Sequence, residues 1–192
     1  MNLHFLIIGI SMLVISVLNI LFSTATWYYV VIAVVWCTAL QFALDGFLAI
    51  AINKMPDKWF GAENRFYHVT KRERALYKKL KVRLWKDKLW ELGGLGGFSK
   101  KELKQPNNPE YIEKFIIECN KGVLVHRISY FIGFLAALTL RQPYCYTIAI
   151  PVAAVNLLVN ALSTIVLRYN SPALIALYKR LQRRERKNQA ST

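Results

Sequence analysis

Four long apolar stretches mark this chain, and its polar residues gather between the second and third stretch and after the fourth. Leu3–Phe22 contains no Asp, Glu, Lys or Arg, Trp27–Ile52 contains only Asp45, Val123–Leu140 contains only Arg127, and Pro143–Leu167 contains none. As helices rising about 1.5 Å per residue, each reaches across the ~30 Å of hydrocarbon in a bilayer, the third with least to spare. The pattern predicts an all-α membrane protein, a single integral membrane domain over residues 1–192 with four transmembrane helices at about 3–22, 27–52, 123–140 and 143–167.

The polar stretch 53–122 carries helix signals of its own. Pro56 argues against continuing the second helix. Thr70 with Glu73 three residues on forms a capping box, and Leu76, Leu80 and Leu84 recur four apart beside Tyr77. They predict an amphipathic helix to Leu89, lying on the membrane surface. The glycines of Gly93-Gly94-Leu95-Gly96-Gly97 break it in a flexible turn, and Pro106-Asn107-Asn108-Pro109 makes a second turn. Beyond that, Tyr111, Ile112, Phe115, Ile116 and Cys119 have helical apolar spacing, and this helix can run through Gly122 into the third span.

Charge orients the elements. Of 26 Lys and Arg residues, 17 fall between Asn53 and Gly122 and 7 lie from Arg168 onward, leaving Arg127 and Arg141. Basic residues stay on the cytoplasmic side, so the expectation is a multi-pass protein of the cell membrane with segment 53–122, the basic tail 168–192 and both termini cytoplasmic. Trp27, Tyr28, Tyr29, Tyr144 and Tyr146 then fall at the outer interface, where amphipathic rings favour the headgroup layer. Leu3–Phe22 reads as a retained helix, because it lacks a basic leading region and Ser23-Thr24-Ala25-Thr26 is a poor cleavage site. The net charge of +15 follows from the basic flanks and implies no nucleic-acid partner. Cys37, Cys119 and Cys145 are scattered, without metal-binding spacing.

Polar groups inside spans are expensive, so their depth is informative. Counted from the cytoplasmic ends, His126 and Arg127 lie about one turn deep, Asp45 and Ser163 one to two, and Asn160 about two. Gln41 with Asp45, and Asn156 with Asn160, are four apart and share a helix face. They predict a polar layer in the inner leaflet. Hydrogen bonding between helices accounts for such a layer without chemistry. His126 stands apart, because an imidazole at a membrane boundary suits a general base acting on a hydroxyl. His68 and Glu73 form a His-x4-Glu pair of a spacing common by chance.

Three blocks then follow in order: Val82-Arg83-Leu84-Trp85-Lys86-Asp87-Lys88, Ile112-Glu113-Lys114-Phe115-Ile116-Ile117-Glu118 leading to His126, and Arg168-Tyr169-Asn170-Ser171-Pro172. Together they resemble the glycosyl-4,4'-diaponeurosporenoate acyltransferase family, whose namesake esterifies a sugar on a carotenoid, over about Pro56 to Arg183. The resemblance implies an acyltransferase that moves a fatty acyl group from acyl-CoA or an acyl carrier, as co-substrate, to a hydroxyl of a glycosylated or polar membrane lipid. It implies no further cofactor and no metal. His126, Glu118 and Asp87 are the catalytic candidates, with either carboxylate as partner of His126. Glu118 is ~12 Å from His126 along a straight helix, which favours Asp87 unless Gly122 bends it. Trp85, Lys86, Asn160, Arg168, Tyr169 and Asn170 are the substrate-binding candidates. Arg127 stands where the family usually has Trp, Leu167 where it has Gln, and Trp90 where many members have Pro. The first helix is additional. The alternative from another class is a non-enzymatic lipid-binding or accessory membrane protein.

Overall fold

The computed structural model describes residues 3–89 and 103–190, and among them every regular element is helical. In chain order they are α1 (Leu3–Phe22), α2 (Trp27–Asn53), α3 (Lys71–Lys79), α4 (Val82–Trp85), α5 (Pro109–Ile132) and α6 (Ile150–Gln189), with short 3-10 segments between them and a π-helical turn, Cys145–Ala149, leading into α6. The glycine turn at Gly93–Gly97 lies outside the described residues. Four helical segments are long and apolar enough to cross a membrane: Leu3–Phe22, Trp27–Asn53, Pro109–Thr139 and Cys145–Gln189. Phe5, Leu13, Leu21, Phe22, Trp36, Phe47, Phe131 and Leu138 on these segments are exposed. So much large apolar side-chain area facing outward suits a hydrocarbon surround better than water.

The chain divides into two compact units, Met1–Asn53 with Leu124–Ser163, and Lys54–Val123 with Thr164–Thr192. The core of the first contains Val30, Ala33, Val34 and Cys37 of α2, Ile15 of α1, and Ala136, Ile148, Ala149 and Val152. Small residues let helix backbones approach closely, which is how apolar helices gain contact where lipid is as oily as leucine. The third apolar segment changes character at Gly133, where α5 gives way to a 3-10 helix, Gly133–Thr139. A Cβ on Gly133 would sit 2.8 Å from Asn156 Nδ2, so a larger residue there would force the Asn156 side chain to shift.

The second unit is built on complementary helix faces. Ile112, Phe115, Ile116 and Cys119 of α5 form one core with Leu174, Tyr178 and Leu181 of α6 and with Ala62, and Tyr111 packs against it. The apolar spacing after Pro109 therefore marks a buried face, and α5 continues through Gly122. Helix α6 extends to Gln189 and accommodates Pro172 within it.

The amphipathic helix expected from Thr70 to Leu89 is broken. Its capping box forms as read, with Thr70 Oγ1 accepting from Glu73 N–H at 3.2 Å and Glu73 Oε2 accepting from Thr70 N–H at 2.8 Å. Helix α3 then stops because Lys81 adopts the left-handed conformation, φ 50° and ψ 40°. A side chain there costs roughly 1–2 kcal/mol, a position that sequence reading assigns to glycine. Part of the compensation is visible: Trp85 Nε1–H donates to Leu80 O at 3.0 Å, satisfying a carbonyl at the helix end. Leu76, Leu80 and Leu84 remain exposed while Tyr77 is buried.

Candidate functional site

In the first unit three helices contribute to one polar cluster. Helix α5 supplies His126 and Ser129, α6 supplies Asn156 and Asn160, and α2 supplies Asp45. His126 Nδ1 lies 2.7 Å from Asn160 Oδ1. Asn160 Nδ2 donates toward Asp45 Oδ2 at 3.2 Å, Asn156 O at 3.0 Å and Asn156 Oδ1 at 3.0 Å. All three are acceptors, which fixes the amide with its oxygen toward the imidazole. An amide oxygen can only accept, so Nδ1 carries the proton and Nε2 carries the lone pair.

The rest of the cluster supports this arrangement. Asn156 Nδ2 donates to Ser129 O at 3.4 Å. Ser129 and Asn156 also face Asp45, but the Ser129 hydroxyl does not close a well-formed bond: Asp45 Oδ1 and Ser129 Oγ are both buried without a hydrogen-bond partner. Nearby, Gln41 satisfies both ends of its amide when its nitrogen donates to Val152 O at 3.3 Å and its oxygen accepts from Ala153 N–H at 3.1 Å. Farther along α6, Ser163 Oγ pairs with His4 Nε2 at 3.3 Å and donates to Val159 O. Of the residues expected to share a polar layer, Asp45, Asn156, Asn160 and His126 are linked by hydrogen bonds. Sequence reading did not assign Asn160 as the neighbour of His126, nor include Ser129, although Ser129 lies one helical turn from His126.

The second unit holds most of the other candidates. Arg168 is buried, and each nitrogen of its guanidinium has an acceptor. Nε donates to Glu73 Oε1 at 2.8 Å and Nη2 to Glu73 Oε2 at 2.8 Å, while Nη2 also reaches His68 O at 3.0 Å and Nη1 reaches Tyr67 O at 3.4 Å. This fork ties α6 to the start of α3, a geometry that suits Arg and not Lys. Burial works against ionisation of Glu73, but the Thr70 backbone N–H and the Arg168 guanidinium outweigh it and hold the carboxyl below its usual range. The Tyr77 phenol, 3.3 Å from Glu73 Oε1, is pushed up by burial and by that negative charge. Tyr169 meets Tyr77 edge-on at 6.5 Å between ring centroids. Asn170 is half-buried on α6. The His68 and Glu73 pair are not gathered around one reacting point: His68 Nε2 contacts Ala62 O at 3.1 Å, and Glu73 is committed to Arg168.

Glu118 and Asp87 have partners of their own. Buried Lys121 reaches Asp57 at 2.6 Å and Glu118 at 3.5 Å, and Asn120 donates to Phe60 O at 2.8 Å. These contacts hold the Asp57–Phe60 turn against α5. Asp87 is exposed and pairs with Lys86 at 3.0 Å. Trp85 serves the end of α3 through its indole. The nitrogen of His126 that faces a partner in this cluster thus faces an amide and not a carboxylate, and the carboxylate behind that amide is Asp45.

A family model described as glycosyl-4,4'-diaponeurosporenoate acyltransferase matches residues 56–180. No curated protein and no solved structure shows a significant match. The matched stretch contains His126, Asn156, Asn160 and Arg168 and begins after Asp45.

Proposed function

The chain belongs to the glycosyl-4,4'-diaponeurosporenoate acyltransferase family, and on that premise we propose that it transfers a fatty acyl group from a thioester, acyl-CoA or acyl carrier, to a hydroxyl of a glycosylated or otherwise polar lipid. The observation that carries the reading is the bond between His126 Nδ1 and Asn160 Oδ1, which leaves the lone pair of the imidazole on Nε2. Nε2 takes the proton of the acceptor hydroxyl as its oxygen attacks the thioester carbonyl. The tetrahedral intermediate collapses, the C–S bond breaks, and the imidazolium returns its proton to the departing thiolate.

The four apolar segments cross the cell membrane in this proposal, with the basic segments on the cytoplasmic side, where a soluble thioester donor is found. Exposed Leu76, Leu80 and Leu84, beside Lys79, Lys81 and Arg83, rest on the inner interface. Lys86 is offered to the anionic part of a substrate, as the family resemblance implies. A carotenoid glycoside is the acceptor that the family's name suggests.

The test is acyl transfer from a labelled thioester into extracted lipid, comparing membranes that contain the protein with membranes that lack it. A new labelled ester that depends on the protein supports the proposal, and its structure identifies the acceptor. Equal labelling in both membranes, across glycosylated and simple polar lipids, favours an accessory lipid-binding protein instead.

A further inference from the structure

We infer that Asp45, on the helix preceding the family-matched stretch, is a positioning residue for the imidazole of His126, acting through the Asn160 amide. The inference rests on the proposed role of His126 and adds to it a residue that the matched segment does not contain.

An asparagine amide has two orientations, and only one makes His126 useful as a base. With Oδ1 toward the ring, Nδ1 is the protonated nitrogen and Nε2 the basic one; with Nδ2 toward the ring, the roles reverse. What selects the first orientation is the set of acceptors on the far side of the amide. Asn156 supplies two of them from one turn earlier on the same helix, and Asp45 supplies the third from α2. The Asn156 contacts come with the helix itself. The Asp45 contact is the cross-helix member, and a carboxylate is the one side chain among these that offers only acceptors when ionised. It therefore penalises the reversed amide more strongly than a second amide could.

Three further observations support a built arrangement. Asp45 has the Asn156 and Ser129 side chains beside it, and its Oδ2 is the oxygen turned to the Asn160 amide. Gly133 leaves room for Asn156 Nδ2, where a Cβ would approach to 2.8 Å. Asn156 in turn donates to Ser129 O on α5, one turn from His126. The polar groups of α2, α5 and α6 thereby set each other's rotamers, the usual way in which groups behind a reacting residue fix its orientation.

The experiment is steady-state acyl transfer by the full chain in detergent or vesicles, with Asp45→Ala, Asp45→Asn, His126→Ala and the double variant Asp45→Ala/His126→Ala. Positioning predicts that Asp45→Ala lowers kcat by ~10- to 100-fold with KM for both substrates little changed, the range typical of partners that fix a histidine's tautomer. Asp45→Asn keeps an acceptor oxygen but can also turn a donor to the amide, so it recovers only part of that loss. On the His126→Ala background, Asp45→Ala has no further effect. Unchanged kcat in Asp45→Ala, a loss confined to KM, or equal losses in the Ala and Asn variants overturns the inference. If Asp45→Ala does not accumulate as folded protein, Asp45→Asn and Asp45→Glu decide it: the inference then requires kcat to fall in the order wild type, Asn, Glu, because the longer side chain displaces the acceptor, with melting temperatures unchanged. If His126→Ala keeps wild-type turnover, the proposed mechanism fails and this inference with it. If only the Asp45 variants are silent, the proposed mechanism stands and this inference falls.

Discussion

Arg168 and His126 are both nitrogen-bearing side chains that the family resemblance singles out, and their surroundings differ in kind. Around Arg168 every guanidinium nitrogen is directed at an acceptor: a carboxylate that also belongs to a capping box, and the carbonyls of Tyr67 and His68. Around His126 the partner at Nδ1 is a neutral amide, itself oriented by Asp45 and Asn156. The first arrangement consumes the hydrogen-bonding capacity of its cation to join α3 to α6. The second defines which nitrogen of a ring is basic. A residue can be prominent in a family pattern because it holds the fold, and its bonding pattern separates that case from a chemical one.

The comparison is broken most forcefully at Arg168. Replacing Arg168 with Ala leaves Glu73 without its cation and removes its charged hydrogen bonds; because Glu73 is partly exposed and water can replace the lost partner, the loss is about 1.5–3 kcal/mol. Thermal unfolding in detergent should show the loss, while turnover per folded molecule stays within a few fold. Arg168→Lys should recover only part of it, because an ammonium cannot reproduce the fork. An unchanged melting point with a raised KM would make Arg168 a substrate contact after all.

Gly133→Ala tests the His126 side of the comparison. The added Cβ meets Asn156 Nδ2 at 2.8 Å, so Asn156 must move. Overpacking of this kind costs about 1–3 kcal/mol, and displacement of Asn156 should lower kcat as well. Gly61, where an added Cβ meets nothing within 4 Å, should accept Ala with neither effect.

Much of this organisation was legible in the sequence. The four apolar segments, the capping box at Thr70 and the core face of α5 all follow from periodicity and local chemistry, because helices set their own register. The break at Lys81 was not legible: a lysine in the left-handed region leaves no glycine to read, and the indole that caps the preceding turn lies five residues beyond Leu80. The candidate site was half legible. Depth and spacing placed Gln41, Asp45, Asn156 and Asn160 in one polar layer, but spacing on one helix cannot say which side chain on another it meets. The resemblance offers Glu118 and Asp87 as carboxylate partners of His126, and it leaves out Asp45, which reaches the Asn160 amide from α2.

A smaller effect is expected with pH. The Glu73 carboxyl is held below its usual range in the folded protein, so its contribution to stability is fully present above the unfolded value of ~4.3 and disappears as pH falls through the lower folded value. The difference in melting temperature between wild type and Glu73→Gln should therefore narrow as the pH is lowered through and below about 4. A constant difference would mean that the Arg168 contact does not depend on the charge of Glu73. The smallest effect belongs to Thr70→Ala, which removes one half of the capping box and should cost ~1 kcal/mol without altering turnover.

The central claim is that His126 acts as the base of acyl transfer, and the most direct measurement is kcat of purified His126→Ala beside wild type at saturating thioester and acceptor. Loss of a general base predicts a fall of ~10²- to 10⁴-fold with the melting temperature nearly retained. Turnover by His126→Ala close to that of the wild type would contradict the account and leave the imidazole as a packing residue between α5 and α6.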